Sequence, residues 1–154
     1  MNQRRIDRLI PLAFNILEEE EGIAKKIFKT VGGHKKIISE YKGYMSSIGP
    51  SIVQAGLIKT LTAFSKKGGS EEDKTITLGL IKELLKNDGY YTTEESNQGL
   101  DKIINERVKK NNSTSFRLRE EDRTLEAITA YKLVFDTFEK YDKKDKKREA
   151  KDAG

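Results

Sequence analysis

IISEYKGYMSSIGPSIVQAGLIKTLTAF, residues 37–64, is the stretch that decides the fold class. Ile37, Ile38, Tyr41, Tyr44, Met45 and Ile48 recur at three- and four-residue steps, and so do Val53, Leu57, Thr60, Leu61 and Phe64. That spacing lays apolar side chains along one face of a helix; a half-buried strand would alternate them at every second residue. Gly49-Pro50 divides the stretch into two expected helices, with Pro50 at a first-turn position, where its missing amide costs nothing.

The same period extends in both directions. Ile6, Leu9, Ile10, Ala13, Phe14 and Leu17 form an N-terminal stripe, inside which Pro11 predicts a kink or a late helix start. Ile23, Ala24, Ile27, Phe28 and Val31 read as a second helix, stopped by Gly32-Gly33. Beyond the polar run Ser65–Lys74, Leu80, Ile81, Leu84 and Leu85 give a further helix ending before Asn87-Asp88-Gly89. A shorter one holds Leu100, Ile103, Ile104 and Val108. After the break Asn111–Ser115, the longest stripe takes in Leu125, Ile128, Tyr131, Phe135, Phe138 and Tyr141. No run alternates convincingly at period two. The expected architecture is all-α, a single-domain bundle of about six or seven helices over residues 1–141, with 142–154 a charged, flexible tail.

The 154 residues suffice for one domain with a real core. Their chemistry is narrow. The absence of cysteine removes thiolate metal sites and cysteine nucleophiles, and one histidine, His34, excludes a His-based catalytic pair within the chain. Gly68-Gly69-Ser70-Glu71-Glu72-Asp73-Lys74-Thr75 fails as a phosphate-binding loop, because an acid stands where glycine must precede Lys-Thr. Glu18–Glu21, Glu71–Asp73, Glu94-Glu95 and Glu120–Asp122 are polar runs at expected helix ends, the last three suited to complementing a helix dipole. Of the adjacent Tyr90-Tyr91, one is expected under the bundle and the other half exposed. The chain reads as non-enzymatic, without metal, cofactor or small-molecule substrate. No apolar run approaches the roughly 18–20 residues that cross a bilayer, and no leader pattern opens the chain, so a cytoplasmic protein without membrane contact is expected.

Charge placement says more. The net +5 resolves into +8 over residues 22–67, where nine lysines face one acid, and −3 elsewhere. Arg107, Lys109, Lys110, Arg117 and Arg119 make a second basic concentration. Such segregation suits contact with a phosphate backbone, and no motif present reads bases.

Two blocks carry a family resemblance. Tyr41-Lys42-Gly43-Tyr44 leads through Pro50 into Ile52–Phe64, and Arg123-Thr124-Leu125-Glu126-Ala127-Ile128 runs into Tyr131–Phe135. With Gln3-Arg4-Arg5, these resemble the small α-helical subunit of the Cmr, or type III-B, CRISPR effector complex, Gly56-Leu57 with Thr60-Leu61 being the most specific piece. The stretch between the first helix and Tyr41 is long for that family. The resemblance implies a non-catalytic subunit in antiviral defence, stacked in several copies along the crRNA–target RNA duplex among the other Cmr subunits. Arg4, Arg5, Lys59, Lys66 and Lys67, then Lys25 and Lys29, are the expected contacts to target RNA phosphates. A helical protein–protein adaptor without RNA contact, or the equivalent subunit of another type III system, is the alternative.

Overall fold

The structure, a computed structural model, describes residues 1–66 and 73–142. Six α-helices appear among them: α1 (Gln3–Glu18), α2 (Ser39–Ala55), α3 (Leu57–Phe64), α4 (Thr75–Asn87), α5 (Leu100–Lys110) and α6 (Thr114–Phe135). Strands β1 (Phe28–Val31), β2 (His34–Ile38) and β3 (Glu139–Tyr141) form a small sheet, and short 3-10 turns cover Ile23–Ile27 and Glu95–Asn97. The chain is predominantly all-α, as its periodicity indicates. The tail beyond Asp142 and the segment from Lys67 to Glu72, which holds most of the rejected phosphate-loop motif, lie outside the described residues.

Helix α6 is the axis of the bundle, with α1, α2, α4 and α5 packed around it. Tyr131, fully buried at its centre, donates its hydroxyl proton to the Leu80 carbonyl at 2.6 Å, so the ring fills the core without leaving a polar group unpaired. The stripes supply the rest: Leu9, Ala13, Ile16 and Leu17 from α1, Met45, Ile48 and Ile52 from α2, Leu80, Ile81 and Leu84 from α4, Ile103 and Ile104 from α5. The side chain of Asn2 caps α1 by accepting from the Arg5 amide, and that of Ser113 caps α6 by accepting from the Phe116 amide.

Four expectations are corrected. Residues 23–31 do not form a helix: after the 3-10 turn, β1 pairs antiparallel with β2, Phe28 opposite Ile37 and Val31 opposite His34. Gly32-Gly33, read above as a helix stop, is the two-residue hairpin turn, both glycines holding positive φ (57° and 80°), as such turns demand. Period-two structure therefore exists, and exposed His34 opens β2. Second, α1 starts at Gln3 and continues through Pro11, so there is no late start. Third, α2 runs through Gly49-Pro50; the break comes at Gly56, whose φ of 95° and ψ of 156° are essentially glycine-only. Fourth, the last helix ends at Phe135. Phe138 packs its ring 4.9 Å from Phe28, and Tyr141 belongs to β3, which pairs parallel with β2, Ile38 opposite Tyr141.

Candidate nucleic-acid interface

Folding brings acids from elsewhere in the chain onto much of the basic segment. Lys42 pairs with Asp136 at 2.8 Å, and that hydrogen bond holds the Asp136 carboxyl below its usual value. Lys36 lies 3.8 Å from Glu139, and Lys25 the same distance from Glu21. Lys35 donates to the Leu17 carbonyl and sits 4.2 Å over the Phe28 ring, and burial lowers its ammonium pKa. Lys25 and Lys35 line a hollow with Glu18, Glu19 and Glu20, a mixed-sign surface that no polyanion would favour.

The two basic concentrations meet at one place. The α2–α3 junction, Ala55 to Lys59, forms a cleft of about 300 Å³ with Val108 of α5 and Arg117 and Glu121 of α6. A continuation of about 280 Å³ shares Ile58, Val108 and Arg117 and adds Asn105, Lys109 and Asn112. Gly56 makes this geometry by turning the chain sharply between two helices, and Ser113 starts α6 so that Arg117 comes one turn inside it. Arg117 donates to the Asn112 side-chain oxygen, which fixes its guanidinium at the mouth. Lys59, Lys109 and Lys110 are exposed, and like Arg117 they have no ion-pair partner among the described residues. Lys109 and Lys110 also occupy the last turn of α5, where cations complement the free carbonyls.

Behind this face lies a network that sequence reasoning missed. Glu120, expected in a solvated first turn, stands two turns inside α6 with no exposed side-chain surface. It accepts from Arg107 Nε at 2.8 Å, the Tyr90 hydroxyl at 2.8 Å and the Tyr91 hydroxyl at 3.3 Å. Arg107 also pairs with Glu95 at 3.0 Å, and its guanidinium lies over Tyr90, Tyr91 and Phe116 at 4.8, 5.1 and 5.8 Å. Arg107 is thus a member of the interior, not of the basic surface with which its sequence neighbours place it. Burial, reinforced by Glu120, pushes the Tyr90 hydroxyl up to about 12 and the Tyr91 hydroxyl well above its ordinary value. Desolvation acts to raise Glu95, but the Thr92 amide and Arg107 outweigh it and hold that carboxyl low. As expected of the tyrosine pair, Tyr91 is buried and Tyr90 half exposed, its faces taken by Arg107 and, at 4.9 Å, by Arg123. No spacing rule joins residues 90, 107 and 120; only the helix packing does.

The other expected contacts are scattered. Arg4 is exposed on α1. Arg5 turns inward and forms a two-pronged bond with Glu126, 2.7 Å for each of its shorter arms, and that carboxylate is fully buried on α6. Lys29 is exposed on β1 opposite Lys36, and Lys66 is exposed just past α3. Lys67 lies outside the described residues. Of the seven, Lys59 alone lines the cleft. Among the described residues no helix is long and apolar enough to cross a membrane, and no three metal-ligating side chains cluster.

Compared with known proteins, residues 19–138 match the model of a family described as CRISPR-associated protein (Cas_Cmr5). The matched span takes in the hairpin and every helix except α1. No curated protein and no solved structure matches.

Proposed function

The chain belongs to the CRISPR-associated Cas_Cmr5 family, the small subunit of the type III-B Cmr complex, and from that premise we propose that it holds target RNA by its phosphates without catalysing its cleavage. The observation that carries this reading is the convergence of Lys59, Lys109 and Arg117 on one cleft, drawn from two basic segments about 50 residues apart, with Lys110 exposed beside them. Cations free of acidic partners release counterions from a polyanion when it binds, an attraction that is independent of sequence and falls with salt. In a guide-RNA complex base pairing selects the target, so phosphate contacts suffice for the protein to hold it. Arg4, Lys29, Lys66 and Lys67 extend the contact as secondary sites; Lys25 does not, because it pairs with Glu21 and lines the hollow with Glu18, Glu19 and Glu20. Arg5 contributes through α1 packing, because reaching a phosphate would mean abandoning Glu126. Several copies stacked along the crRNA–target duplex add weak contacts into useful avidity.

The test is target-RNA retention by a reconstituted Cmr complex carrying Lys59→Glu with Lys66→Glu. Retention should drop and the loss should grow with salt. Retention equal to wild type at all salt concentrations, with the variant incorporated at full occupancy, would leave the chain as a protein–protein adaptor.

A further inference from the structure

The α3–α5–α6 cleft is not built like a surface for phosphates alone. Its floor is apolar: Leu57 and Val108 are buried there, and Ile58 is 38% exposed between them. Along its sides stand the carboxamides of Asn105 and Asn112 and the carboxylate of Glu121. Glu121 makes no hydrogen bond or ion pair among the described residues, although Arg117 lies one turn before it on the same helix. A phosphate against Glu121 would be repelled, so the backbone must lie on the Lys59 and Lys109 rim.

We propose that this cleft receives one unstacked nucleobase of the bound RNA, its face on Leu57, Ile58 and Val108, and that Glu121 favours bases bearing an exocyclic amine over uracil. The inference rests on the phosphate-contact reading, since Lys59, Lys109 and Arg117 at the rim are what hold the strand there. A carboxylate accepts from the exocyclic amine of cytosine, adenine or guanine, whereas uracil's one edge donor, N3–H, lies between two carbonyl oxygens that the carboxylate repels. A base lying face-down on this floor has left its stack and its pairing partner, so the occupant is a single-stranded or extruded nucleotide and not a paired one. Arg117, fixed by Asn112, presents a planar cation that stacks on the base or grips its phosphate.

Fluorescence anisotropy on the full chain with three short probes of equal length tests this: oligocytidylate, oligouridylate and an abasic ribose-phosphate strand. Oligocytidylate should bind roughly fivefold more tightly than oligouridylate, the ratio one net hydrogen bond gives. The abasic strand should bind more weakly than either. Glu121→Gln, which can donate to uracil as well as accept from cytosine, should bring the first two together while keeping the salt dependence. Equal, salt-sensitive binding of all three probes by the wild-type chain would overturn the base site and leave the phosphate reading standing. No binding of any probe at low salt would overturn both.

Discussion

Replacing Arg107 with alanine strands the Glu120 carboxylate in the core. At present Glu120 has no exposed side-chain surface and three donors, of which Arg107 Nε at 2.8 Å is the only charged one. The two tyrosine hydroxyls would remain, but no positive charge would offset the desolvated anion. Removing one partner of a buried pair costs about 3–5 kcal/mol. The Arg107 guanidinium also lies over three rings, and each such contact adds about 0.5–1 kcal/mol. Against a total stability of about 5–15 kcal/mol, the variant should be severely weakened, with a fall in Tm of roughly 10 °C. Urea unfolding followed by circular dichroism measures the change. Adding Glu120→Gln keeps the tyrosine bonds and removes the stranded charge, so the double variant should recover a large part of the loss. A single-variant cost under about 1 kcal/mol, or a double variant no more stable than the single, would refute the claim that Glu120 is a buried anion held by Arg107.

Arg5→Ala should destabilise the fold by a few kcal/mol because it takes the charged partner from the buried Glu126 carboxylate, while Arg4→Ala on the same helix should change stability by less than about 0.5 kcal/mol; paired urea melts check the contrast. Gly56→Ala should cost about 1–3 kcal/mol through its positive φ, whereas Gly43→Ala, inside α2 with open space around it, should stabilise by up to about 1 kcal/mol in the same assay. Glu95 is held below its unfolded value of about 4.3, so its contribution is full above that pH and fades as pH falls through the lower folded value. The stability gap between wild type and Glu95→Gln should therefore be constant from pH 7 to 5 and close in acid; a gap that widens in acid would reverse the assigned sign.

The helices were legible where burial is one-sided. In α1, α4 and α5 the apolar stripe is the buried face, and the boundaries at Asn87 and Lys110 follow from the polar breaks behind them. The hairpin was hidden because Ile23, Ala24 and Ile27 sit at helical spacing in a 3-10 turn and β1 has only four residues, with Lys29 and Thr30 both exposed between Phe28 and Val31, so no period of two is visible. Gly32-Gly33 signals a turn of either kind, and its left-handed conformation is settled only once β2 pairs with β1. In α6 the period found the helix, with Ile128, Tyr131 and Phe135 buried, but it missed the polar part of the buried face. Glu120, Thr124 and Glu126 are buried among the apolar residues, so the helix presents no clean apolar face, and its acids look solvated until their partners arrive from α1 and α5. The charge census erred in the same way. It counted Arg5, Arg107 and Lys42 as surface cations, though each meets a carboxylate more than a dozen residues away along the chain. Gly56-Leu57, the most specific piece of the family resemblance, proved to be the turn that builds the cleft.

The central claim is that the cleft neutralises RNA phosphates, and the slope of log affinity against log salt measures that number directly. For single-stranded RNA bound by the full chain, each phosphate contact contributes about 0.7 to the slope. Converting Lys59, Lys109 and Arg117 together to alanine should flatten the slope by about 2, while folding, followed by circular dichroism, stays intact. Parallel salt plots for the variant and the wild-type chain would contradict the account.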